Sequence, residues 1–214
     1  MLEVLSSPKR FFENLDSFGW KVPVLVALLV SIPSSAIQYS VMKAIAPLLP
    51  PEAQQFRDAL SLLGIFSIIP TFIITFLMIL LIAGVIHLIS GFFGGEGEFR
   101  KTATIVGYGM IPSVIVAYIQ MVIFLYSLSQ AGQFASLHDF FAFMTDQNRM
   151  LSSAVLSSAA LLWNVAIWSN GVEVVRKIEF RKAVISASVP ALIYLSYTLY
   201  SLNNLANMGN FGAI

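Results

Sequence analysis

The chain has 214 residues, of which 57% are hydrophobic and only 11% charged, and its formal net charge is +1. That balance is too apolar for a water-soluble domain of this size and too weakly basic to point to nucleic acid. With no cysteine, disulfides, thiolate chemistry and Cys-based metal sites are excluded.

In chain order, Ser7-Pro8 predicts an N-cap with proline at the first helical position. Phe11, Phe12, Leu15 and Phe18 give that short helix an apolar side, and Gly19 can end it. The expectation is an interfacial helix lying on the cytoplasmic leaflet. Five apolar runs follow, at Val22–Val41, Leu62–Ile89, Ile105–Leu128, Leu151–Trp168 and Ala183–Leu202, with no Asp, Glu, Lys or Arg in any of them. At about 1.5 Å per residue, each can cross a hydrocarbon core of about 30 Å as a helix. The first run starts too late, is too long and lacks the small-residue cleavage site of a signal peptide. Between the second and third runs, Gly94-Gly95-Glu96-Gly97 reads as a flexible turn. No Lys-Ser/Thr follows at P-loop spacing, and its glutamates would repel phosphate. Before the fourth run, Ser136 predicts a cap for Leu137, Phe140, Phe141 and Met144 at helical spacing, a second interfacial anchor. The predicted fold class is all-α: one membrane domain over residues 1–214, a bundle of five transmembrane helices with short interfacial helices.

Nine of the 12 basic residues fall on one side of such a bundle: Lys9, Arg10, Lys21, Arg100, Lys101, Arg176, Lys177, Arg181 and Lys182. Lys43, Arg57 and Arg149 fall on the other. The positive-inside rule then predicts a cytoplasmic N-terminus and a C-terminus outside or in a lumen. Lys9, Arg10, Arg100, Lys101, Arg176, Lys177, Arg181 and Lys182 are expected within a Debye length of the headgroups. Setting topology is their first expected role. Glu173 and Glu179 dilute the densest cluster and speak against a phosphoinositide pocket.

Small and hydroxylated faces pack helices in lipid, and four runs carry one. Depth and helical face together predict a polar region in the outer half of the bundle, made of Ser34, Gln38, Gln120, Ser157, Tyr197 and Ser201. It reads either as a pocket for a small ligand or lipid headgroup, or as plain interhelical hydrogen bonding, and the second reading is preferred. Near the cytoplasmic ends, His87, Tyr108, Trp163 and Asn170 form a second polar-aromatic set. Pro33, Pro70, Pro112 and Pro190 predict kinks, each lacking a backbone donor.

Absent groups narrow the function. The runs hold no carboxylate of the kind that couples protons or cations. His87 and His138 fall on opposite sides and cannot share a metal. No zinc-protease, nucleophile-elbow or Walker motif occurs. The expectation is a non-enzyme without cofactor or metal.

Gly94-Gly95-Glu96-Gly97-Glu98-Phe99-Arg100-Lys101-Thr102, followed by Gly107-Tyr108-Gly109-Met110-Ile111-Pro112, resembles the glycine-rich loop, phenylalanine and G-Y-x-x-x-P sequence of the Yip family (Ypt-interacting proteins, the Yip-one domain). The Pro8…Phe11-Phe12 opening and Trp163…Trp168…Gly171-Val172 before a basic loop extend the resemblance over essentially the whole chain. It implies five spans and a cytoplasmic N-terminus. Eukaryotic members are implicated in vesicle traffic, bind prenylated Rab-type GTPases and carry a longer cytosolic N-terminal domain. This chain is more similar to compact prokaryotic members, so GTPase binding is not carried over and a prokaryotic cell membrane is the expected location. The leading expectation is a membrane scaffold or adaptor acting through membrane lipids, other membrane proteins or its own copies. The alternative is a small transporter or lipid translocase.

Overall fold

A computed structural model describes residues 3–211, and the backbone alone at positions 51, 54, 55, 57, 58, 61 and 202–211. All regular structure among the described residues is helical. Two short helices, α1 (Glu3–Ser6) and α2 (Pro8–Glu13), precede α3 (Lys21–Ile45). After two 3-10 stretches come α4 (Arg57–Phe66) and α5 (Ile68–Phe92), then α6 (Phe99–Gly109) and α7 (Ile111–Ala131). The chain continues through α8 (Leu137–Met144), α9 (Gln147–Arg176) and α10 (Phe180–Phe211). Five stretches are long and apolar enough to cross a membrane: Lys21–Leu48, Leu62–Phe92, Phe99–Ala131, Leu137–Arg176 and Phe180–Ser201. The chain is a five-span helical membrane protein.

The prolines act differently from one another. Pro33 and Pro190 stay inside α3 and α10. Pro70 and Pro112 instead lie in the first turns of α5 and α7, just after breaks at Ser67 and Met110. A first-turn proline lacks an N–H that would have no helical partner anyway. The second and third spans are therefore each two helices, not one kinked helix.

The spans form a ring: α3 touches α5 and α7, α5 touches α10, α10 touches α9, and α9 touches α7. The tightest packing lies toward the end carrying the glycine loop. There Ile86 of α5, Val106 of α6, Val172 of α9 and the ladder Ala183, Ala187, Ala191 of α10 are all buried. The alanines recur every four residues on one face and let backbones approach closely. Leu63, Phe66, Ile69, Ile74 and Leu77 of the second span remain exposed, as expected of a span that faces lipid broadly.

The N-terminal segment departs from the expectation of a helix lying on the leaflet. Val4 and Phe12 are fully buried, and α2 packs on α9. Phe11 meets the Tyr108 ring edge-on at 4.8 Å, Trp163 Nε1 donates to the Leu5 carbonyl (3.3 Å), and Lys9 pairs with Glu173 at 2.9 Å. The apolar side of this segment found protein rather than lipid, because Gly171 leaves room for the Phe12 ring against Ile105. The expected cap of α2 is also weaker: Ser7 occupies the position but its side chain makes no capping bond. At the far end Ser136 does cap α8, accepting from the Asp139 amide at 3.2 Å. Phe140 is buried, and Phe143 meets Phe124 of α7, so α8 folds back on the bundle.

Candidate functional site

The break at Met110 builds the centre of the molecule. The third span stops at Gly109 and restarts at Ile111, and Pro112 has no N–H to return to the last turn of α6, where a bilayer offers no substitute donor. Two side chains of α9 bond to this joint. The buried Trp168 indole donates to the Val106 carbonyl (3.1 Å), which also accepts from the Met110 amide (3.1 Å). Asn164, also buried, donates to the carbonyls of Gly109 (2.8 Å) and Ala160 (3.0 Å) while its oxygen accepts from Ser113 Oγ (2.6 Å). Carbonyls only accept, and this fixes the amide orientation. The Trp168 ring lies so close to Gly109 that a Cβ there would overlap Cδ1 and Nε1.

Beside this joint lies a cavity of about 540 Å³, within the range of about 300–1,000 Å³ usual for small-molecule sites. Met78, Leu81 and Ile82 of α5, Ala117 of α7, Ala160 and Leu161 of α9, and Pro190 and Ile193 of α10 make it mostly apolar. Trp168 and Met110 form one end. Gln120, Ser157 and Tyr197 contribute its polar atoms, with Ser113, Asn164 and Tyr194. Gln120 Nε2 donates across to α9, reaching Ser157 Oγ (2.9 Å), Ser153 Oγ (3.0 Å) and the Ser153 carbonyl (3.0 Å).

Of the residues expected in the polar region, Gln120, Ser157 and Tyr197 therefore come together. Ser34, Gln38 and Ser201 do not line the cavity. Ser34 turns its hydroxyl back to the Val30 carbonyl of its own helix (3.0 Å), and no residue of α3 lines the cavity. Asn164 and Trp168 were not among the expected lining residues, although Asn164 lies on the Ser157 face of α9 at helical spacing. The missing signal was the break in the third span at Met110.

The second polar-aromatic set separates too. Tyr108 and Trp163 hold the N-terminal segment, His87 Nδ1 meets Thr102 Oγ1 at 3.0 Å, and Asn170 bonds Ala166 of its own helix.

The basic residues expected at headgroups divide into three kinds. Arg176 is not a headgroup contact: it is 2% exposed. Its guanidinium donates to the carbonyls of Gly97 (2.7 Å), Gly95 (3.1 Å) and His87 (3.3 Å) and to Ser90 Oγ (3.1 Å). It thus binds the C-terminal end of α5 and the glycine loop at once, satisfying carbonyls that a helix end leaves open. The loop is accordingly a fastened turn rather than a flexible one, with the Glu96 amide donating back to the Arg176 carbonyl (3.0 Å). Gly94 and Gly97 take positive φ (83° and 96°), which side chains disfavour. Lys9, Arg10, Arg100 and Lys177 are exposed but paired with Glu173, Glu3, Glu98 and Glu96. The exposed Arg181 and Lys182 make no such pair among the described residues, and Lys101 lies over the Phe18 ring.

Five long apolar spans, a glycine loop tied by a buried arginine and a third span jointed at Met110 define the class of membrane protein. Residues 2–201 match the Yip1 domain family. The chain belongs to that family. It is 37% identical over 128 residues to an uncharacterised protein of Methanocaldococcus jannaschii, an alignment covering 59% of this chain and 89% of the relative. A relative of that kind agrees with the resemblance to compact prokaryotic members. No solved structure matches the chain.

Proposed function

We propose that this Yip1-domain protein is a non-enzymatic membrane scaffold or adaptor, working through contacts with lipids and membrane proteins. The observation that carries this reading is the fastening of the basic face. Arg176 ties α5, the glycine loop and α9 together, while Lys9–Glu173 and the buried Phe12 hold the N-terminal segment on α9 and α6. A face so fixed presents Lys101, Arg181 and Lys182 in constant relation to one another. It suits docking more than a moving gate. By the distribution of basic residues, that face lies in the cytoplasm and the C-terminus outside, in a prokaryotic cell membrane. Among the described residues no three of His, Cys, Asp and Glu gather where a metal could sit.

Crosslinking in native membranes, followed by native mass spectrometry in mild detergent, tests the reading. Self-association, or a membrane partner or lipid recovered with the protein, is the expected outcome. A strictly monomeric protein carrying neither overturns it. The cavity favours one second reading, a lipid translocase. In that case Gln120→Leu, which removes the polar side chain that bridges α7 and α9 at the cavity, abolishes lipid flipping in reconstituted vesicles, and a wild type that flips nothing removes the idea.

A further inference from the structure

We infer that the cavity walled by α5, α7, α9 and α10 binds one uncharged lipid, its hydrocarbon tail reaching Trp168 and its hydroxyl-bearing end meeting Gln120. The site stands apart from the scaffold reading, which assigns no ligand to the interior.

Its length sets the occupant. The cavity runs along α9 from Ser157 to Trp168, about 16 Å at a rise of about 1.5 Å per residue. That is roughly half of a hydrocarbon core about 30 Å thick, the reach of one lipid tail. The opening faces the bilayer: Leu81, Ile193 and Tyr197 line the cavity and are 60%, 62% and 68% exposed. Apolar space of this size is not left empty beside lipid, since even cavities of about 150 Å³ take up benzene-sized molecules.

The polar end sets the chemistry. The Ser153 carbonyl fixes which side of the Gln120 amide carries nitrogen. Its Oε1 then accepts no hydrogen bond from any described group, and in a bilayer an unpaired amide oxygen is unfavourable. A hydroxyl supplies the missing donor, and Tyr197 brings its own hydroxyl to the same end. No Lys, Arg, His, Asp or Glu lines the cavity, so a charged group would enter without a partner.

The test uses the full chain in lipid nanodiscs with 1-monooleoylglycerol carrying a diazirine in its tail. Labelling should concentrate on peptides containing Leu161, Trp168 and Ile193. Unlabelled monooleoylglycerol should compete about tenfold better than methyl oleate, which lacks the donor, and better than ionised oleate; tenfold corresponds to about 1.4 kcal/mol. Gln120→Leu should erase the advantage over methyl oleate without removing the labelling. Ala117→Phe should reduce labelling about tenfold, the tail having lost its space. Labelling spread evenly over lipid-facing positions such as Leu63 and Ile74 overturns the site. Equal competition by methyl oleate overturns the hydroxyl assignment, and strongest competition by oleate overturns the uncharged one. If Ala117→Phe does not fold, the wild-type labelling map and competition series decide alone.

Discussion

Replacing Arg176 should damage the protein far more than its place in a basic loop suggests. In Arg176→Ala the carbonyls of Gly95 and Gly97 lose their donors at 3.1 and 2.7 Å, and those of His87 and Ser90 Oγ lose longer or weaker ones. Hydrogen bonds to a charged group are worth about 1.5–3 kcal/mol each, so the two loop carbonyls alone predict a loss of roughly 3–6 kcal/mol. Arg176→Lys keeps the charge but lacks the planar fork, and one ammonium cannot span the same acceptors. It should recover about half of the loss. Lys177, Arg181 and Lys182 remain in both variants, so the charge bias that sets topology is little changed. Unfolding in mixed micelles followed by circular dichroism measures stability. Hydrogen exchange at the Glu96 amide, which donates to the Arg176 carbonyl at 3.0 Å, reports the loop directly. If Arg176→Ala stays within about 0.5 kcal/mol of wild type, the knot does not hold the loop. If lysine restores everything, charge rather than forked geometry is what matters.

Gly109→Ala should destabilise the protein by about 1–3 kcal/mol through overpacking against the Trp168 ring, measured by the same unfolding assay, and unchanged stability would mean that the joint is loose. The Lys9 ammonium is held above its usual value of 10.5, chiefly by its hydrogen bond to Glu173 and then by that carboxylate's charge. A pKa raised on folding stabilises fully below the unfolded value and fades as pH rises through the folded one. The unfolding midpoints of wild type and Lys9→Met should therefore differ at neutral pH and converge as pH rises through the raised lysine value; a gap that survives alkaline pH would rule out the ion pair as its source.

The five spans were legible because burial in lipid demands long uncharged runs, and no competing fold satisfies that demand. Helix breaks were harder to read. Pro112 was visible as an interruption, but hydropathy does not say whether a proline kinks a helix, as Pro33 does within α3, or begins a new one after Met110. Gln120 and Ser157 were read onto one polar region from face and depth, and their side chains meet because α7 and α9 touch. Which spans neighbour one another, and so why Ser34 and Gln38 stand away from the cavity, is not written in the helical period of any single span. Arg176 was read as one more member of a basic cluster. Its neighbours Lys177, Arg181 and Lys182 are exposed, and nothing in local charge separates it from them. Only the glycine loop nearly eighty residues earlier, full of carbonyls that need donors, makes its burial intelligible.

That dependence gives the scattered motifs one physical reading. Gly109 has no side chain because Trp168 occupies the space where one would stand. Asn164 donates to the Gly109 carbonyl where the span across from it stops, and the Trp168 indole adds a second donor to the Val106 carbonyl, which the Met110 amide already meets. Pro112 restarts that span without adding an unpaired N–H. Gly171, one turn beyond Trp168 on the same helix, admits Phe12 and so brings the N-terminal segment onto the joint. The glycine-tyrosine-proline stretch, the tryptophan-glycine stretch and the Pro8–Phe12 opening are then three sides of one packed junction. The cavity begins at that junction, with Met110, Ser113 and Trp168 in its lining. A ligand bound there would touch Trp168 directly and be felt at the N-terminal segment through packed side chains.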